Sequence, residues 1–308
     1  MKLAIMGAGG VGGYFGGLLA LSGQDVTFIA RGAHLAAMRA NGLKLIGGRG
    51  ETLVQPAKAT DDAAAVGPVD LVLFCVKLYD TESAGRAIAP LLGATSAVLT
   101  VQNGVDAAER LVKLYGRERV MGGAAYNSAV LAEPGVVRYT SAMSSLVFGE
   151  LDGRESARAL AFRDACRNAG FAAELTPDVA KTLWSKLVPL ATNAGLTSLT
   201  RQPVGYAFHD PECRAVAIRA MREVWAVAKA RGVALDADAV DRALDLTNGF
   251  PKDMYSSMYH DLARGRPLEL EGLSGVVAKL GDELGVPTPV HRAIYASLKP
   301  FMHGKPLA

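Results

Sequence analysis

The chain has 308 residues, half of them hydrophobic, with 33 Lys and Arg against 30 Asp and Glu and a net charge of +3. That length favours two domains with cores of their own, and so small a charge argues against a dedicated nucleic-acid surface or a polybasic membrane patch. The scattered cysteines Cys75, Cys166 and Cys213 form no Cys-x-x-Cys or Cys/His cluster, so neither a disulfide frame nor zinc is indicated, and no apolar run is long enough to span a bilayer. The expectation is a soluble protein of a reducing compartment, the cytoplasm.

The chain opens on Lys2-Leu3-Ala4-Ile5-Met6, a short apolar run that reads as a buried parallel strand. Gly7-Ala8-Gly9-Gly10-Val11-Gly12 follows with Gly-x-Gly-x-x-Gly spacing, and a small-residue helix comes after it. In a dinucleotide site the first glycine permits a tight turn and the second lets backbone approach a pyrophosphate. The third lets the helix sit close to the strand with its N-terminus facing the phosphates. A structural glycine turn is the alternative, but the setting between strand and helix favours the dinucleotide reading. A second strand, Asp25 to Ile29, ends at Ala30-Arg31-Gly32. An NAD-specific site usually carries an acid here, whereas Arg31 favours a 2′-phosphate and therefore NADP(H). A solvated surface arginine is the alternative. His34 could assist Arg31, though a position on a helix surface is the plainer reading.

After a short helix from His34 to Asn41, Leu43 to Ile46 and Thr52 to Val54 form an expected hairpin joined by the turn Gly47-Gly48-Arg49-Gly50. Continuous apolar strands at Val69 to Val76 and Ala97 to Val101 end at Lys77 and at Gln102-Asn103-Gly104, each followed by a helix. Strands alternating with helices predict an α/β fold, a Rossmann-type, doubly wound parallel sheet. Residues at the carboxyl ends of such strands line the ligand crevice, which places Lys77 and Asn103 beside the cofactor. An exposed strand-end lysine and a plain turn are the alternatives. Shorter strands at Ala124 to Val130, Val136 to Thr140 and Leu146 to Phe148, with Glu133-Pro134-Gly135 as a turn, extend the sheet antiparallel. A helix from Glu155 to Ala169 and a last strand from Phe171 to Leu175 complete residues 1–176, the expected NADP-binding domain.

Residues 177–308 read as an all-helical substrate and catalytic domain, with helices at Val179 to Val188, Glu212 to Arg231, Ala237 to Thr247, Ser257 to Arg264, Leu270 to Leu284 and His291 to Met302. In the second of these Val216, Arg219, Ala220, Glu223, Val224, Val227 and Ala228 recur at helical spacing. The alanine-rich faces could pack within one subunit or across a homodimer. The first helix carries Trp184-Ser185-Lys186-Leu187, and Gly265-Arg266-Pro267-Leu268-Glu269-Leu270-Glu271-Gly272 holds two acids in a turn leading into a helix. Pairing Lys186 with Glu269 makes chemical sense for reduction of a ketone. A lysine can protonate the nascent alkoxide, and a carboxylate keeps the ammonium charged despite burial. From spacing alone a surface lysine and helix-start glutamates are the plainer reading.

Taken together, the motifs Gly7 to Gly12, Arg31, Val76-Lys77, Gln102-Asn103-Gly104, Leu183 to Leu187, Ser256 to Leu262 and Gly265 to Leu270 resemble the ketopantoate reductase (2-dehydropantoate 2-reductase) family over essentially the full chain. The resemblance implies NADPH-dependent reduction of a branched 2-oxo acid, as in pantothenate biosynthesis. It implies Lys186 as general acid and substrate anchor, with Glu269 orienting both. Asn103 and Lys77 would hold nicotinamide ribose or substrate, Arg31 the 2′-phosphate, and Ser257 a substrate oxygen. Two features depart from the pattern. The family usually has asparagines four and eight residues after the lysine, where this chain has Leu190 and Ala194, with Asn193 standing seven on. Asn193 would share the face of Lys186 in an unbroken helix, contacting substrate or serving ordinary capping, but Pro189 lies between. The acidic motif reads Leu268-Glu269-Leu270-Glu271 where Thr-Glu-Ile-Asp is frequent. A reductase of another 2-oxo acid, or a non-catalytic NADP(H)-binding sensor, are the competing expectations.

Overall fold

The computed structural model describes residues 1–48 and 50–305; Arg49, in the expected hairpin turn, lies outside the described residues. The chain divides into two compact units, residues 1–102 with 106–179, and residues 103–105 with 180 onward.

The first unit is built on a ten-stranded sheet. In chain order its elements are β1 (Lys2–Met6), α1 (Gly10–Leu21), β2 (Asp25–Ile29), α2 (Gly32–Asn41), β3 (Leu43–Gly47), β4 (Gly50–Val54), β5 (Ala59–Thr60), β6 (Val69–Phe74), α3 (Thr81–Ala87), β7 (Leu92–Thr100), α4 (Ala107–Tyr115), β8 (Val120–Glu133), β9 (Val136–Glu150), α5 (Ala157–Asn168) and β10 (Ala172–Leu175). The strand order is β4-β3-β9-β8-β7-β6-β1-β2-β5, with β10 paired to β9. β1 lies parallel to both β2 and β6, and β7 is parallel to β6. The continuous apolar runs of these strands follow from burial on both faces. Leu3, Ile5, Leu71, Leu73 and Leu99 enter one core with Phe15 and Leu19 of α1. Their neighbours Ala4, Val72, Phe74 and Val98 enter another with Ala84, Ile88 and Leu111. A period of two divides the side chains between the faces, and helices cover each, so no polar alternation survives. The expected Rossmann-type sheet is therefore present. The segments 124–130, 136–140 and 146–148 prove to be parts of two long strands, β8 and β9. These pair antiparallel from Met121↔Glu150 to Glu133↔Val136.

The second unit is helical: α6 (Val179–Thr200), α7 (Val204–His209), α8 (Pro211–Ala230), α9 (Ala239–Asn248), α10 (Ser257–Ala263), α11 (Val276–Leu284) and α12 (Pro289–Leu298). α6 runs 22 residues, straight past the expected stop at Val188 and through Pro189. Proline removes the amide that would bond the carbonyl of Ser185, and Ser185 is an exposed residue. Trp184, Leu187, Val188, Ala191 and Ala194 are all buried in one core, so packing outweighs the lost hydrogen bond. The buried stripe of α8 is Ala217, Ala220, Met221, Val224, Val227 and Ala228, whereas Val216 is exposed. Glu223 is buried too, because its carboxylate accepts from the amides of Val290 (2.8 Å) and His291 (2.9 Å) at the start of α12. There it satisfies the two first-turn amides that follow Pro289, which has none. Between Glu271 and Gly275 the chain makes a π-helical turn before α11, where an uninterrupted helix was expected. No helix of the described residues is long and apolar enough to cross a membrane.

Candidate active site

One candidate site is the turn after β1, in the first unit. Gly7 adopts φ +94°, open to glycine and costly for other residues, and a Cβ there would lie 2.9 Å from the Val76 amide nitrogen. A Cβ on Gly12 would lie 2.2 Å from the Gly7 carbonyl oxygen, so the start of α1 sits as near β1 as backbone allows. A Cβ on Gly9, by contrast, would meet nothing within 4 Å. Open space therefore lies beside the backbone at the one glycine expected to admit a pyrophosphate. Gly9 is the N-cap of α1 and no side chain caps the helix. The first-turn amides of Gly10, Val11 and Gly12 thus leave the positive helix end to an external anion. Gly10 itself packs on the Ala129 carbonyl of β8. Ala8 is buried, and its carbonyl accepts from His34.

Arg31 is the N-cap of α2. Its side chain is 83% exposed, with Nη2 3.8 Å from Asp80 Oδ2, so the guanidinium is largely solvated and loosely paired. Ala30, where an NAD site would place an acid, is buried. Lys77 is half-buried at the start of the short turn after β6, its carbonyl accepting from Asp80 N at 2.9 Å. Gln102 fixes this region. Its buried amide donates to Val76 O (3.0 Å) and Thr81 Oγ1 (2.9 Å) and accepts from Thr100 Oγ1 (2.9 Å). Open space at Gly9, uncapped α1 amides and an exposed guanidinium at the end of β2 together fit a phosphorylated dinucleotide.

A second candidate site, in the helical unit, is on α6. Lys186 Nζ donates to Asn103 Oδ1 at 3.0 Å, and Asn103 belongs to this same unit. Burial lowers the Lys186 pKa to about 8, and the charge of Glu269 opposes that fall. Glu269 is itself 6% exposed. It is held between Leu268 and Leu270, whose side chains enter the helical core, and Leu268 N bonds Met302 O at 2.9 Å. The ammonium of Lys186, the amide of Asn103 and the carboxylate of Glu269 thus share one neighbourhood. Because α6 is unbroken, Asn193 lies on the Lys186 face, about 20° short of two full turns. It is buried and its Oδ1 has no hydrogen-bond partner. Leu190 packs half-buried on the core and Ala194 is fully enclosed.

Ser257 is exposed at the first position of α10. Its neighbour Ser256 is the buried one, accepting from Tyr259 N (3.1 Å) and bonded to Thr197 Oγ1 (2.7 Å). Thr197 Oγ1 is the donor toward both Ser256 Oγ and Asn193 O (2.7 Å each), so its single hydroxyl proton is shared between the two or given to one of them. Ser-Ser-x-Tyr before a helical run offers a capping signal for either serine, and spacing does not choose between them.

Residues 3–153 of the chain match the family model "Ketopantoate reductase PanE/ApbA", and residues 178–301 match its C-terminal counterpart. The chain belongs to the ketopantoate reductase family. It is 32% identical to a 2-dehydropantoate 2-reductase of Mesorhizobium japonicum over 97% of both chains. A ketopantoate reductase structure from Ralstonia eutropha is 35% identical over 98% of both chains, with a TM-score of 0.90. At 22% identity, D-mandelate dehydrogenase bound to NADH shares the fold over 98% of both chains, with a TM-score of 0.91. The protein is accordingly an oxidoreductase. Within the ketopantoate reductase frame, the residues least legible from sequence are His34, Gln102 and Ser256. Each bonds a group far off in the sequence, the backbone of Ala8 and Gly135 for His34, the backbone of Val76 for Gln102 and the Thr197 hydroxyl for Ser256, which spacing does not reveal.

Proposed function

We propose that this family member reduces 2-dehydropantoate to pantoate with NADPH, a step of pantothenate biosynthesis. Residues 1–176 would bind the cofactor, and residues 177–308 the 2-oxo acid. The observation that carries this reading is the Lys186 ammonium, bonded to Asn103 and electrostatically sustained by Glu269. Bound NADPH would supply the hydride. As the carbonyl carbon accepts it, negative charge grows on the oxygen, and Lys186 is the group poised to protonate that oxygen. A pKa near 8 leaves the lysine mostly protonated at neutral pH yet ready to release the proton. Glu269 preserves the charged form in a partly desolvated setting. Asn103 orients the ammonium, which otherwise has three rotatable donors on a flexible stem. Lys77 would hold nicotinamide ribose or substrate, Ser257 a substrate oxygen, and the unpartnered Asn193 carboxamide oxygen a substrate hydroxyl. The test is steady-state NADPH oxidation with 2-dehydropantoate beside a panel of other branched 2-oxo acids.

Leu190 and Ala194 favour a second reading, reduction of a different 2-oxo acid. Both are apolar where the family usually has asparagine, and both pack into the core. A weak rate with 2-dehydropantoate beside a far better panel member would select it.

The NADPH preference rests on Arg31. Replacing Arg31 with alanine is expected to weaken NADPH by about 1–3 kcal/mol while sparing NADH, as loss of a charge-assisted phosphate contact requires. Titration of both dinucleotides against the two proteins measures it, and equal losses would remove Arg31 from the 2′-phosphate.

A further inference from the structure

We propose that His34 is a positioning residue that aims the phosphate-binding turn by holding the carbonyl oxygen of Ala8. The inference rests on the reading that this turn binds a dinucleotide, and adds how the turn is set. His34 stands in the first turn of α2, half-buried. Its Nε2 lies 2.8 Å from Ala8 O, and its Nδ1 accepts from Gly135 N–H at 2.9 Å. A carbonyl can only accept and an amide N–H can only donate, so the two bonds together specify one neutral ring, protonated on Nε2 alone.

The anchor on the far side is firm. Gly135 makes the turn between β8 and β9 at φ +79°. Its own carbonyl accepts from Lys44 N at 2.8 Å. A Cβ on it would lie 3.1 Å from Ala37 Cβ, so the turn already touches α2 one helical turn beyond His34. The imidazole therefore spans from a sheet-anchored turn to the middle of the glycine motif.

What it does there follows from peptide geometry. The unit joining Ala8 to Gly9 is planar and trans, so its C=O and N–H point in opposite directions. Fixing Ala8 O on the imidazole aims Gly9 N–H the other way. That amide has no protein acceptor among the described residues, and the space beside Gly9 is open. His34 thus preorganises a donor for the pyrophosphate, common to NADH and NADPH. Burial holds its pKa below the usual histidine range, which keeps the ring in the neutral form the two bonds demand.

The experiment measures NADPH and NADH dissociation constants, and kcat at saturating dinucleotide, for wild type, His34→Ala, His34→Phe and His34→Gln. Glutamine offers one acceptor and one donor and can replace both contacts; phenylalanine fills space without either. His34→Ala and His34→Phe are expected to weaken both dinucleotides by about tenfold and by the same factor, with kcat within about twofold, and His34→Gln to recover most of the loss. A loss confined to NADPH would place His34 on the 2′-phosphate and overturn the proposal. So would unchanged affinity in His34→Ala and His34→Phe, or a fall in kcat with affinity intact. If neither of those variants folds, His34→Gln decides: binding about tenfold weaker than wild type overturns it, and near-wild-type binding upholds it. Wild-type protein that binds neither dinucleotide overturns the cofactor reading itself, a result distinct from any of these.

Discussion

Lys186→Ala is expected to lower kcat/KM for 2-oxo acid reduction by roughly 10²–10⁴-fold while leaving NADPH affinity within about twofold. The range is what a positioned general acid contributes. The affinity is spared because the turn, the α1 amides and Arg31 lie in the other unit. The substitution also strips Glu269 of its charge partner, and Glu269 is 6% exposed. An uncompensated buried carboxylate destabilises the fold, so Lys186→Met, which keeps the stem's packing, belongs beside the alanine. Both variants should show the same catalytic loss if the ammonium is what matters. Lys186→Arg keeps a charge but holds its proton far too tightly to give it up, and should recover substrate binding more than turnover. Single-turnover NADPH oxidation separates the chemical step from release. A variant that kept a wild-type rate would remove Lys186 as the acid. Wild-type protein that bound NADPH but turned over no 2-oxo acid would instead favour the sensor reading.

Much of this site could be read before any coordinates. The strand, glycine turn and helix at the start of the chain are a local signal: Gly7 takes a positive φ, Gly12 closes on the Gly7 carbonyl and Ile5, and open space lies beside Gly9. Lys186 and Glu269 were singled out by residue type and motif, and the structure joins them electrostatically. What escaped depends on tertiary packing. Pro189 signals a helix end in isolation, yet the core on Leu187, Val188 and Ala191 carries α6 through it. His34 looked like a surface histidine because Ala8 and Gly135 are 26 residues before and 101 residues after it. Glu223 fell on an apolar stripe for which spacing gave no reason, and its reason is the amide pair opening α12. β9 reads as two pieces because its register shifts between Tyr139, opposite Ala129, and Ser144, opposite Asn127, and β8 runs on past Val130 through a second shift between Leu131 and Glu133.

The pH dependence of the reaction separates the roles of the two charged groups in the second unit. Under the proposed mechanism reduction needs Lys186 protonated, and burial brings its pKa to about 8. Log kcat/KM for reduction should therefore be level on the acid side of that value and fall as pH rises through it. The reverse oxidation needs a neutral lysine and should rise over the same interval. In Glu269→Gln the influence that raises the lysine pKa is gone while the desolvation that lowers it remains, so the descending limb must move to lower pH. Each unit of movement costs up to tenfold of the protonated lysine on the alkaline side. The variant should accordingly lose roughly tenfold or more near pH 8.5 and less near pH 6, beyond any loss from mispositioned substrate. Glu269→Asp, which keeps the charge on a shorter stem, should hold the limb nearer its wild-type place even if the plateau drops. A Glu269→Gln profile whose limb stayed put, or moved to higher pH, would mean that this carboxylate does not sustain the acid.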